Sequence, residues 1–174
     1  IHSEDISQVK EIEHFIERKF IVPLKSYEDN FVGKGLEYTS NPIYMTLGIT
    51  SNCNYNCKHC GNNSSIKKDT DLKKDEIYDL LDQMIEMNLL KLNFTGGEPT
   101  TNSNLTDYIR YVKGRIPRIT ISTNGSLITD KKAKELKCAG LNMAKISIDG
   151  LSKFHNEFRN YKDAYKKAIE AIIN

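Results

Sequence analysis

No stretch of the 174-residue sequence approaches the ~18 consecutive apolar residues that a membrane-spanning helix needs, so no span is expected. The first residues, IHSEDISQ, lack the apolar core of a signal peptide, and a cytoplasmic location is the expectation. Charge of one sign is also scarce. The formal net charge is +2, which leaves out the strongly basic surface of a nucleic-acid binder. Hydrophobic residues nevertheless make up 39% and charged residues 28% of the chain. That mixture excludes a disordered, collagen-like or low-complexity protein and fits one compact domain. Cysteine is the telling scarcity. There are four, and three of them fall within eight positions (Cys53, Cys57, Cys60). They are too few and too clustered for a disulfide framework, and clustered thiols without an export signal read as metal ligands. The sequence starts at Ile1 rather than Met and stops at Asn174 inside an apparent helix, so a piece of a longer protein is expected.

Residues 1–41 read as an N-terminal helix and linker, the tail of an upstream domain being one reading of them. Val9, Ile12, Ile16 and Phe20 have nearly helical spacing, and Pro23, Gly33 and Gly35 mark a connecting segment. Residues 42–174 show a different rhythm. Strands are expected over 43–50, 90–95, 119–123 and 143–149. Helices are expected over 73–88, 103–113, 130–139 (with Gly140 as its stop) and 161–173. Strand–helix alternation means parallel strands with crossover helices. The expected strand midpoints Phe94, Ile121 and Ile148 are 27 residues apart each time. So short a unit suits a (β/α) barrel, and four units make half of one, or an open one. The fold class is therefore α/β, a partial (β/α) barrel.

Parallel α/β proteins place ligands at the carboxyl ends of their strands. Here each expected strand runs into a polar or glycine-bearing cluster: SNCNYNCKHC (51–60), TGGEPT (95–100), STNG (122–125) and SIDG (147–150). Four such clusters on one rim are the expected lining of a single site. The spacing C-x3-C-x2-C lets three thiolates wrap one face of an iron–sulfur cube, leaving one iron without a protein thiolate. The competing reading is zinc held by Cys53, Cys57, Cys60 and His59 in a binding module. Structural zinc sites, however, favour separated pairs with two-residue gaps, and no second pair is present. An electron carrier would want a fourth cysteine ligand, and Cys138 stands apart, expected to be a buried or half-buried thiol on the third helix.

C-x3-C-x2-C after the first strand, Gly96-Gly97-Glu98-Pro99 after the second, Ser122-Thr123-Asn124-Gly125 after the third and Ser147-Ile148-Asp149-Gly150 after the fourth together resemble the radical S-adenosylmethionine superfamily. The resemblance implies the first four units of a (β/α)6-type core over residues 42–174. It implies a 4Fe–4S cluster on Cys53, Cys57 and Cys60, and S-adenosyl-L-methionine chelated to the open iron. It implies reductive cleavage to a 5′-deoxyadenosyl radical that takes hydrogen from a substrate. His59 would pack near the adenine. Gly96 and Gly97 would let backbone approach the methionine moiety, and Glu98 would accept from its ammonium. Ser122, Asn124, Ser147 and Asp149 would face the ribose or the carboxylate, and Arg159 the methionine carboxylate. Within the superfamily the sequence looks most like peptide- and protein-modifying maturases. That implies a peptide or protein substrate and an electron donor of flavodoxin or ferredoxin type, with no nucleic-acid or membrane partner. A small-molecule enzyme of a molybdenum-cofactor or heme pathway is the alternative.

Overall fold

The computed structural model describes residues 41–62, 64 and 71–174. The helix expected over residues 4–20 and nearly all of the linker that follows lie outside the described residues. The described chain runs β1 (Tyr44–Gly48), α1 (Lys74–Glu86), β2 (Lys91–Thr95), a 3-10 turn (Pro99–Thr101), α2 (Leu105–Val112), β3 (Arg118–Thr123), α3 (Asp130–Ala139), β4 (Met143–Ile146), α4 (Ser152–Arg159) and α5 (Ala164–Ile173). The strands form one parallel sheet in the order β1-β2-β3-β4.

Strand alternation divides the sheet chemically. Leu47, Leu92, Phe94, Ile119 and Ile121 share the face on which the helices pack, and all are buried. From α1 come Ile77, Leu81 and Met84, and from α2 come Leu105, Tyr108, Ile109 and Val112. The opposite parity carries Thr46, Asn93, Thr120 and Ser122. There Asn93 Oδ1 accepts from Thr120 Oγ1 at 2.8 Å and from Ser122 Oγ at 3.2 Å, so even the fully buried Thr120 is satisfied. Near the amino end of β1 the Tyr44 ring lies under two ammonium groups on this face, Lys91 Nζ at 4.9 Å and Lys145 Nζ at 5.7 Å from its centroid. Helices on one face and polar side chains on the other are the division a (β/α) barrel makes between its outer layer and its interior.

Helix ends follow local chemistry. Glu76 accepts the Lys73 N–H at 2.7 Å at the start of α1, and Thr129 accepts the Lys132 N–H at 3.2 Å at the start of α3. Gly140, at φ 119°, stops α3 as expected, its N–H bonding back to Leu136 and Lys137. Three expectations need correction. The equal spacing of 27 fails at the last step, because Ile121 pairs with Ala144 and β4 ends at Ile146, leaving Ile148 past the strand and 40% exposed. Residues 152–159 form a helix that hydrophobic periodicity does not reveal, since His155 is its only buried side chain and Phe154 lies exposed. Cys138 is exposed rather than buried, because Leu136 and Ala139, three apart, occupy the inward face of α3.

Phe94→Ala is expected to lower the unfolding free energy by about 3–5 kcal/mol, as large-to-small changes in a filled core do. Ile148→Ala should cost no more than about 0.5 kcal/mol, as changes away from packed or bonded features do. Urea denaturation followed by circular dichroism checks both, and comparable losses would restore the longer fourth strand.

Candidate functional site

The cysteine loop follows β1 and is tied to the carboxyl ends of β2 and β3 and to α4. At its start, Asp71 takes the Thr50 hydroxyl at 2.9 Å and the Ser51 N–H at 2.7 Å. At β2, the strand pairing continues past the last ladder residue. Gly97 N donates to Thr50 O and Glu98 N to Asn52 O, both at 2.8 Å. A Cβ on Gly96 would collide with the Thr50 carbonyl, and one on Gly97 with the Asn52 carbonyl. The glycine pair is therefore required first by the close passage of the protein's own loop. At β3, Asn124 Nδ2 donates to Asn54 Oδ1 at 2.9 Å, and Asn54 Nδ2 donates to Ser126 Oγ at 2.7 Å. Near α4, Lys58 N donates to Phe158 O at 2.9 Å, the His59 ring stacks on Phe158 at 4.2 Å, and Tyr55 stacks on Tyr161 at 4.5 Å.

Glu98 is 1% exposed. Its Oε1 accepts from Thr100 N at 3.1 Å, Thr100 Oγ1 at 2.5 Å and Thr123 Oγ1 at 2.6 Å, and its Oε2 accepts from Asn124 N at 2.7 Å. A carboxylate offers about four lone-pair sites. This one meets four donors from its own chain and bolts the end of β2 to the end of β3. Asp149 is likewise committed. Arg159 Nε donates to its Oδ2 at 2.6 Å and Arg159 Nη2 to its Oδ1 at 3.0 Å. The Asp149 N–H donates at 3.1 Å to Nδ1 of the buried His155. Arg159 thus presents its remaining donors while gripping Asp149. Ser122 faces the polar side of the sheet, and the half-buried Ser147 extends the pairing beyond β4 by donating its N–H to Thr123 O at 3.0 Å.

None of the four cysteines is in a disulfide, and Cys53, Cys57 and Cys60 are half-buried. Burial pushes the thiols of Cys53 and Cys57 above their ordinary value. The Tyr55 N–H opposes this at Cys53 and the Arg159 guanidinium at Cys57. Among the described residues no three His, Cys, Asp or Glu side chains converge as ligands of a single ion would. Ligands of a cube stand on separate irons and need not share one point. Sequence reasoning missed Tyr55. It is 4% exposed, burial pushes its phenol up to about 12, and its hydroxyl makes no well-aligned hydrogen bond among the described residues. Its position between two cysteines was the available signal. A cavity of about 490 Å³ adjoins the glycine pair, lined by Gly48, Thr50, Gly61, Ser64, Asp71 and Gly96 among others. Its size lies within the range of small-ligand and cofactor sites.

Comparison with known proteins follows from this geometry. The family model described as "Radical SAM superfamily" matches residues 47–174. Fe-coproporphyrin III synthase of Methanosarcina barkeri is 33% identical over 131 residues, which is 75% of this chain and 33% of that protein. Mycofactocin maturase MftC of Mycolicibacterium smegmatis is 29% identical over 133 residues, 76% of this chain and 34% of that protein. The chain thus spans about a third of the length of these curated relatives. Among solved structures, Streptococcus suis SuiB bound to precursor peptide SuiA superposes with a TM-score of 0.64 at 21% identity, covering 93% of this chain and 41% of that one. At that identity the likeness is one of fold.

Glu98→Gln places an amide where four donors point. It should cost about 1–3 kcal/mol of stability, the penalty of a buried mismatched polar group, measured by urea denaturation. His155 gives a pH signature. Burial, assisted by Arg159 and His59 and opposed by Asp149, holds its imidazole below the ordinary 6.5. The unfolded chain therefore takes up the proton first. This part of the stability is complete above about pH 6.5 and lost as pH falls below it. Melting temperatures at about pH 7.5 and 5.5 should show the loss, and His155→Phe should reduce it.

Proposed function

The chain belongs to the radical SAM superfamily, and from that premise we propose that the cysteine loop and the strand ends beneath it form the initiating half of an enzyme that abstracts hydrogen from its substrate. Membership brings a 4Fe–4S cluster and S-adenosylmethionine as cofactors. The chain's residues fit them, with three half-buried thiols in a loop anchored to the ends of β2 and β3 and to α4, and a glycine-edged cavity alongside. When bound, the two groups supply one-electron cleavage of the sulfonium and removal of a substrate hydrogen atom.

Everything else falls to the chain. Cys53, Cys57 and Cys60 hold three irons. Gly96 and Gly97 leave bare backbone at the end of β2 for the methionine ammonium, and Glu98 keeps that turn in place from below. The donors of Arg159 that Asp149 does not occupy meet the methionine carboxylate. The Ser122 and Ser147 hydroxyls serve the ribose, and Asn124 secures the loop above them. His59, backed by Phe158, offers the adenine an aromatic shelf. The electron comes from a donor of flavodoxin or ferredoxin type.

For the substrate, the supporting observation is the inward sheet face. Ser122, half-buried on that face near the strand ends, offers a hydroxyl that suits the hydrogen-bonding edge of a peptide or protein. Mycofactocin maturase stands among the relatives. A second reading, a small molecule of the tetrapyrrole kind, draws on the 33% identity to Fe-coproporphyrin III synthase.

Full-length protein reconstituted anaerobically with iron and sulfide should turn brown. It should release 5′-deoxyadenosine on addition of dithionite and S-adenosylmethionine, and Cys57→Ala should bring that release to background. A colourless protein carrying one zinc per chain would sink the reading. Deuterium carried from a labelled precursor peptide into 5′-deoxyadenosine supports the peptide substrate. Deuterium carried from labelled Fe-coproporphyrin selects the second reading.

A further inference from the structure

The charged side chains of β1–β4 are Lys91, Arg118 and Lys145, and the strands hold no Asp or Glu. Register puts all of these cations on one side of the sheet. Lys91 pairs with Arg118, and Lys145 pairs with Ser122, on the polar face that also carries Asn93 and Thr120. None of them takes part in an ion pair among the described residues. Lys91 Nζ and Lys145 Nζ instead lie over the Tyr44 ring, 4.9 Å and 5.7 Å from its centroid. Thr46 Oγ1 donates to the Tyr44 hydroxyl at 2.9 Å, which turns that ring along β1 toward the strand's carboxyl end. A ring face holds an ammonium group weakly at an accessible site and leaves its N–H donors free. Like charges side by side on neighbouring strands destabilise a sheet, and Lys91 and Arg118 are such a pair. The face therefore carries a positive potential that a bound anion would relieve.

We propose that Lys91 and Lys145, with Arg118 beside Lys91, form an anion subsite that selects a carboxylate-bearing substrate. This rests on the reading above that the substrate lies against this face beneath the strand ends. Lysine presents a point charge on a flexible stem, so the two ammonium groups can close on one carboxylate. The subsite also sets a length. β1 runs five residues from Tyr44 to Gly48, so its ends are about 13 Å apart at ~3.3 Å per residue. The carboxylate is then held no more than about 13 Å below the end of β1. In an extended peptide that is a Glu or Asp within about four residues of the reacting carbon. In a tetrapyrrole it is an acidic side chain at the edge of the ring.

The test measures binding to reconstituted full-length protein by isothermal calorimetry, with two pairs of probes. One pair is a precursor peptide with Glu near its reacting residue and the same peptide with Gln there. The other is Fe-coproporphyrin and its methyl ester. Wild-type protein should bind the acid of one pair about tenfold tighter than its neutral form, and the pair that shows the preference names the source of the carboxylate. Lys91→Gln and Lys145→Gln should each weaken the acid about fivefold and leave the neutral form unmoved, and Lys145→Arg should keep the preference. If one of the glutamine variants does not fold, the other carries the test. No preference in either pair, or equal losses for acid and neutral forms, overturns the proposal. A lowered melting temperature with an unchanged preference also overturns it, because the lysines then pair with carboxylates of the protein itself. Release of 5′-deoxyadenosine by wild-type protein that shows no acid preference sinks the subsite alone. Wild-type protein that takes up no iron sinks the enzyme reading and the subsite together.

Discussion

Glu98 puts a carboxylate where water does not reach, so each of its lone pairs has to be met from within the protein. Two of its partners sit on the turn that follows β2 and two on the end of β3. Neighbouring parallel strands are thereby held in step at the edge where the site lies. The same residue's backbone N–H reaches the carbonyl of Asn52, just before the first cysteine of the loop. One residue thus joins strand, strand and ligand loop. The glycines before it leave room for that loop to pass, and Asn124 after it carries the tie on to Asn54.

The fold was legible where burial alone dictates the residues. Leu92 with Phe94 and Ile119 with Ile121 announce strands that bury one face, and the stripes of α1 and α2 announce the helices that cover them. The fourth unit was harder to read. Ile148 continues an apolar alternation that the hydrogen-bond ladder has already left, and α4 turns almost all its side chains to solvent or to rings of the loop, so no stripe marks it. At the site, residue type and position on the rim were legible, because glycine, carboxylate and thiol have narrow uses there. Their partners were not. Nothing in the order of letters reveals that Glu98 faces Thr123 rather than outward, that the glycine pair makes room for Thr50 and Asn52, or that Asp149 spends both oxygens on an arginine ten residues later.

The sheet separates two kinds of work. Its helix-facing side is filled by close-packed hydrocarbon and supplies the stability. Its other side keeps buried amide and hydroxyl groups satisfied by one another, with Asn93 accepting from two β3 hydroxyls. Such a polar network costs desolvation that the helix-facing core offsets. In return it leaves a hydrophilic wall directly below the cysteine loop, so groups bound at the strand ends and a substrate below them would share one interior.

The bond between Lys58 and Phe158 also has a consequence in time. About a hundred residues separate the two, and ribosomes add ~5–20 residues per second, so several seconds pass between the emergence of the loop and the emergence of α4. During that interval β1 and the three thiols are exposed without the helix that closes over them. Metal capture by a nascent chain at that stage would meet a loop without the Phe158 carbonyl that holds Lys58. Loading after release would meet the finished arrangement. The order of synthesis therefore makes the folded protein, not the nascent chain, the form in which the cysteine loop carries all of its ties.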